Sequence, residues 1–205
     1  AKELAGESHR MARETLGELD SMLGEWAAPA AWLERAHGEA TAYRGAVSSA
    51  TAAPPPDADT PSYAQVVGAV WRAARENDYV LTAAGGLPGE LNVNWLSRGV
   101  ATFDCEYGFS CMGYEIAGGW GAAMARRGTG EVFVLVGDGS YLMGNSDLYS
   151  SVLSGHRMTA VVCDNGGFAV IDRLQVAQGG RSFNNLLRDV RGERLVDVDF
   201  AAHAA

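Results

Sequence analysis

Two uninterrupted apolar runs organise the second half of the chain: VFVLVGDGS, residues 132–140, and TAVVCDNGG, residues 159–167. Neither alternates with polar residues, and each ends in an acidic or amide side chain beside glycine. Such runs predict strands covered on both faces of a parallel sheet, here Val132–Val136 and Met158–Cys163. Between them, Asp147–Leu153 has helical spacing and stops at Gly155. Upstream, YVLTAAGG (Tyr79–Gly86) reads as a strand running into a glycine turn. Ahead of that, Tyr63, Val66, Val67, Val70 and Ala74 recur at helical spacing behind Ser62 and Gln65, the pair of a capping box. Residues 113–126, GYEIAGGWGAAMAR, predict a helix of small residues. Glycine inside a helix costs about 1 kcal/mol against alanine, so Gly118, Gly119 and Gly121 predict close approach of another backbone. Strands alternating with helices predict an α/β fold, a doubly wound parallel sheet with helices on both faces.

The flanks differ in character. Residues 1–52 are rich in Ala, Glu and Arg, with apolar positions from Met11 to Leu33. They predict a helical segment, one or two helices broken near Pro29. The proline-rich stretch 53–61 is a linker that cannot continue a helix, and the folded domain is expected over 62–205. After Phe168 the pattern is less regular, and Gly179–Asp189 reads as a loop over the site. The closing DVDFAAHAA reads as the first turns of an unfinished helix. Both ends read as cut, so the expectation is part of a longer polypeptide, with the domain truncated at its C-terminus.

Composition narrows the function classes. The chain has 205 residues, 47% of them hydrophobic, and a net charge of -9. That acidity argues against nucleic acid as a partner. It also means that a bound anion needs a metal or a helix N-terminus to offset repulsion. No apolar run approaches the roughly 20 residues that span a bilayer, and no signal peptide is legible. The three cysteines (Cys105, Cys111, Cys163) form no CxxC pair and read as reduced, buried thiols of a cytoplasmic protein. There is no GxxxxGK[ST] loop and no GxGxxG fingerprint. GFSCM, residues 108–112, lacks the final glycine of a serine-hydrolase elbow. His156 reads as a solvated loop residue.

The candidate chemistry sits at the two strand ends. Strands ending at Gly137 and Asp164 place Asp138 and Asn165 at the carboxyl edge of one sheet, where ligands of open α/β folds bind. Asp138 alone reads better as a helix cap in a tight turn. With Asn165 it reads as a site for a hard cation, Mg2+ or Ca2+, carrying a diphosphate. Gly137 and Gly139 let backbone approach a phosphate, and amides at the start of the next helix can donate to it. Mg2+ takes about six oxygens; the Asp138 and Asn165 side chains, the Gly167 carbonyl, two diphosphate oxygens and one water would fill them.

GDGS followed at this separation by DNGG resembles the cofactor motif of thiamine-diphosphate enzymes. EYGFSCMGYEIAGGWGAAMA, residues 106–125, resembles the pyrimidine-contacting segment of the acetolactate-synthase-like branch. The resemblance implies thiamine diphosphate and Mg2+ as cofactors, with Asp138, Asn165 and Gly167 on the metal. It implies that Met112 wedges the cofactor into a bent shape, as a flexible thioether can, and that the Ser110 carbonyl accepts from its amino group. Gly86 and Leu87 fall where relatives touch the diphosphate, often with polar side chains that this chain lacks. Ser140 and Phe168 complete the implied contacts. The strings AQVVGAV, AAGGLPGEL, GDGSYLM, CDNGGFAVI and SFNNLL are similar to those of a hydrolase branch in inositol catabolism that opens a cyclic diketone at a carbon–carbon bond. That implies a small-molecule cyclic diketone substrate. An enzyme acting on 2-keto acids, and a domain that binds cofactor or a partner without chemistry of its own, stay open as alternatives. The family pattern also implies a homodimer or homotetramer. The catalytic glutamate of such enzymes comes from a separate pyrimidine domain, usually of a neighbouring subunit. Glu106 and Glu115 lie in the wrong segment for it.

Overall fold

The structure, a computed structural model, describes residues 29–55, 57–189 and 198–205. The expected helices ahead of Pro29 lie outside the described residues. Helix α1 spans Pro29–Ala50, with proline at its first position, where a missing N–H removes no helical bond. Two compact units divide between Ser48 and Ser49; the site lies in the second.

That unit is a four-stranded, wholly parallel sheet of β1 (Tyr79–Thr82), β2 (Phe103–Cys105), β3 (Val132–Gly137) and β4 (Thr159–Cys163), in the order β2-β1-β3-β4. Helices alternate with the strands: α2 (Tyr63–Ala73), α3 (Leu87–Asn94), α4 (Tyr114–Arg126), α5 (Asp138–Gly144), α6 (Ser146–Leu153) and α7 (Ala169–Ala177), with α8 (Phe200–Ala204) closing the described chain. The doubly wound α/β expectation is met. From β1 the chain steps outward to β2 and then returns across β1 to β3. The divergence between β1 and β3 is the switch point at which such sheets bind ligands.

Alternation along β3 divides the core. Leu135 joins Val67 and Val70 of α2, Leu87 and Leu91 of α3, and Cys163 on one face. Val132, Val134 and Val136 join Ile116 and Ala123 of α4 and Tyr141 of α5 on the other. This is the period-2 placement of a strand covered on both sides. The capping box forms as expected: Gln65 N–H donates to Ser62 Oγ, and the Ser62 N–H donates to Gln65 Oε1. Asp199 caps α8 through the Ala202 N–H.

Several expectations need correcting. β4 is an edge strand in this sheet, and only Cys163 in it is buried. Gly118 and Gly119 do serve close packing, but against strand side chains: an added Cβ would stand 2.8 Å from Leu81 and 2.3 Å from Val134. Gly121 faces open space. Of the cysteines only Cys163 is buried, and Cys111 is exposed. The tail after Phe168 begins with helix α7. The segment beyond it pairs with the loop after β4, through Phe168 N–H to Asn185 O (2.7 Å) and Leu187 N–H to Gly166 O (2.8 Å). Among the described residues no helix is long and apolar enough to cross a membrane.

Candidate functional site

Four loops meet at the carboxyl edge of the sheet and line an open cleft. Ala84–Leu87 enter from the end of β1 and Gly137–Ser140 from β3. Asn165, Gly167, Phe168 and the first turns of α7 come from beyond β4. Ser110 and Met112 come from the loop before α4, and Tyr63 from the first turn of α2. Every residue singled out from sequence therefore lines this one cleft: Gly86, Leu87, Ser110, Met112, Gly137, Asp138, Gly139, Ser140, Asn165, Gly167 and Phe168.

Asp138 is the acidic centre. It follows the last residue of β3, is 3% exposed, and takes backbone hydrogen bonds from the loop after β4 and from Gly139. The Gly167 N–H donates to Oδ2 (2.6 Å) and the Asn165 N–H to Oδ1 (3.5 Å). Burial pushes the Asp138 carboxyl above its ordinary range, and those two N–H donors oppose the rise. The loop can fold back this way because Gly167 has φ +131°, open to glycine alone, and because the antiparallel bridge of Gly167 with Leu186 holds it. Asn165 points its amide Nδ2 at the Tyr63 hydroxyl (2.7 Å), and burial raises the phenol of Tyr63. It is the N–H of Gly167 that faces Asp138. Among the described residues no three His, Cys, Asp or Glu side chains converge as a metal site. One carboxylate, one side-chain amide and backbone oxygens are a donor set for a hard, oxygen-seeking cation rather than for zinc or copper.

The loop before α4 is held from within. Glu106 accepts from the N–H groups of Phe109 (3.0 Å) and Cys111 (3.1 Å), on either side of Ser110. Ser110 has φ +51°, a left-handed conformation that costs a non-glycine residue about 1 kcal/mol or more and concentrates at functional sites. Met112 follows, 37% exposed. Gly139 leaves room for both apolar neighbours: a Cβ there would stand 2.7 Å from the Phe168 ring and 3.5 Å from Met112 Cε.

Ser140 lines the cleft with its side chain bonded within the protein. It is 4% exposed, and its hydroxyl donates to Glu115 Oε2 (2.6 Å) while accepting from the Gly113 N–H (2.8 Å). The side chain is committed to the protein. Glu115, wholly buried, also accepts from the Ala84 N–H (2.9 Å) and the Gly113 N–H (3.1 Å). It thus ties three walls of the cleft together. Sequence reasoning missed Glu115, Tyr63 and Arg173, another cleft-lining residue. Glu115 left one signal, a carboxylate in the first turn of a small-residue helix. Tyr63 and Arg173 meet the site only through the fold.

Comparison with known proteins agrees with this geometry. The family described as "Thiamine pyrophosphate enzyme, C-terminal TPP binding domain" matches residues 89–205. The chain is 40% identical over 146 residues to a 3D-(3,5/4)-trihydroxycyclohexane-1,2-dione hydrolase of Bacillus thuringiensis (strain Al Hakam), covering 68% of this chain and 22% of that protein. It is 39% identical over 146 residues to the protein of the same name from Bacillus anthracis, with the same coverage. The chain thus spans about a fifth of the length of the curated relatives it matches. On the family match, the chain belongs to the thiamine pyrophosphate enzymes, as their C-terminal cofactor-binding domain.

Proposed function

We propose that the cleft holds thiamine diphosphate through one Mg2+ ion, and that the whole protein opens a cyclic diketone by hydrolysis of a carbon–carbon bond. The observation that carries the cofactor half is the closure of the Asn165–Gly167 loop on Asp138, beside the divergence of β1 and β3. The substrate half rests on the names and 40% identity of the relatives. Asp138, the Asn165 side chain and a backbone oxygen at Gly167 would hold the metal. Backbone N–H groups of Gly139 and Ser140 would face the diphosphate, and Gly86 and Leu87 would flank it.

When bound, the cofactor supplies a thiazolium ring that stores the electron pair of a cleaved carbon–carbon bond. The protein's task is to place that ring. Met112 and Phe168 form apolar walls at Gly139, and the Ser110 carbonyl, in the strained turn held by Glu106, would accept from an amino group. Fixing both rings in one geometry is a proximity effect. The proton-handling glutamate is assigned to a separate domain of the whole protein. The exposed apolar side chains of α5 and α6, Leu142, Met143, Tyr149, Val152 and Leu153, support a second subunit against this domain in a homodimer or homotetramer. Three free thiols fit a reducing, cytoplasmic setting.

Assay of the full-length protein on trihydroxycyclohexane-1,2-dione against pyruvate tests the reading. Turnover of the diketone that requires both thiamine diphosphate and Mg2+ is expected. Turnover of pyruvate alone would replace the substrate assignment with a 2-keto acid.

A further inference from the structure

Among the described residues, Arg173 is the one basic side chain lining the cleft, as Asp138 is the one acidic side chain. It extends from α7 towards the end of β1. Its Nη2 lies 3.0 Å from the point where a Cβ on Gly86 would stand, and Tyr63 Cε2 lies 3.3 Å from the same point. The guanidinium therefore crosses the bare Cα of Gly86. Among the described residues no ion pair holds it. The positive charge of Arg173 is felt at Tyr63, where it works against the rise that burial causes.

An arginine without a carboxylate, facing a cleft in a chain of net charge -9, is available to an anion. A diphosphate together with Asp138 carries more negative charge than one divalent cation offsets. The guanidinium fork matches two phosphate oxygens at once, which an ammonium group does not. We infer that Arg173 grips the diphosphate tail of the bound cofactor, and that position 86 is glycine so that the guanidinium can reach across it. This rests on the cleft being a thiamine diphosphate site.

The test is equilibrium titration of the full-length protein, at fixed Mg2+, with thiamine diphosphate, unphosphorylated thiamine and inorganic pyrophosphate. Arg173→Ala and Arg173→Gln should weaken the diphosphate and pyrophosphate roughly ten- to a hundredfold, the range of a charge-assisted contact, and leave thiamine unchanged. Arg173→Lys should recover part of the loss. Gly86→Ala should weaken the diphosphate severalfold and add little on top of Arg173→Ala, because the two act through one contact. An unchanged melting temperature in Arg173→Gln shows that the fold is kept. The inference is overturned if that variant binds the diphosphate as the parent does, or loses thiamine equally. A parent protein that binds pyrophosphate through Arg173 but ignores thiamine diphosphate would keep the anion contact and discard the cofactor. A parent that binds neither would overturn both.

Discussion

Glu115 and Asp138 are both carboxylates sealed from solvent at the same edge of the sheet, at 0% and 3% exposure, yet the fold uses them in opposite ways. Three protein donors, the Ala84 and Gly113 N–H groups and the Ser140 hydroxyl, converge on Glu115 from three walls of the cleft. Asp138 is met by backbone N–H groups alone, of the loop that closes on it and of Gly139, and it borders the cleft. Burial does not separate a structural carboxylate from a ligand-binding one. The separation lies in whether the acceptor capacity is filled by the protein or left towards open space.

The sharpest way to break this contrast is to remove each group. Glu115→Ala strands two buried donors, the Ala84 N–H and the Ser140 hydroxyl, and each unsatisfied group costs about 1–3 kcal/mol. A loss of roughly 3 kcal/mol or more in urea unfolding is expected, with Glu115→Gln less severe. Asp138→Asn keeps an oxygen for the Gly167 N–H and should stay within about 1 kcal/mol of the parent. Equal destabilisation by the two variants would erase the distinction.

The next difference is in pH. Burial raises the Asp138 carboxyl in the folded, metal-free protein, so the folded state holds this proton more tightly than the unfolded chain does. Its contribution to stability is full below the ordinary aspartate range and is lost as pH climbs through the raised folded value. Asp138→Asn should flatten that part of the stability profile. Because a metal competes with the same proton, Mg2+ affinity should fall on acidification at a higher pH than an ordinary aspartate would show.

Met112→Ala should leave Mg2+ binding intact and weaken the cofactor about tenfold, the scale of losing one buried apolar contact of ~1.5 kcal/mol. Equal loss of thiamine diphosphate and pyrophosphate in this variant would remove Met112 from the ring. The smallest effect needs no mutation. Burial pushes the Cys163 thiol up to about 11, so at pH 8 alkylation should label exposed Cys111 well before Cys163. Mapping by mass spectrometry would show it.

How much of this was legible depended on the range of the interactions involved. β3 could be read because its apolar run is long and covered on both faces, and the capping box because its two residues lie three apart. Three-residue β2, only partly buried, carries no periodicity. Helix α3 starts at Leu87 with proline at its first turn, in a glycine-rich stretch that reads as a turn. Among the described residues β4 pairs with β3 alone, although its composition is that of a strand covered on both faces. At the site, GDGS and DNGG announced Asp138 and Asn165. The bond from Asn165 to Tyr63 spans 102 positions, and the reach of Arg173 over Gly86 exists only once α7 has packed; neither leaves a local trace.

The central claim is that Asp138 holds the metal that carries the cofactor. Calorimetric titration of thiamine diphosphate into the parent protein and into Asp138→Asn, each with and without Mg2+, tests it most directly. The account predicts Mg2+-dependent binding in the parent and none in the variant, with melting temperatures that match. Undiminished Mg2+-dependent binding in Asp138→Asn would contradict it.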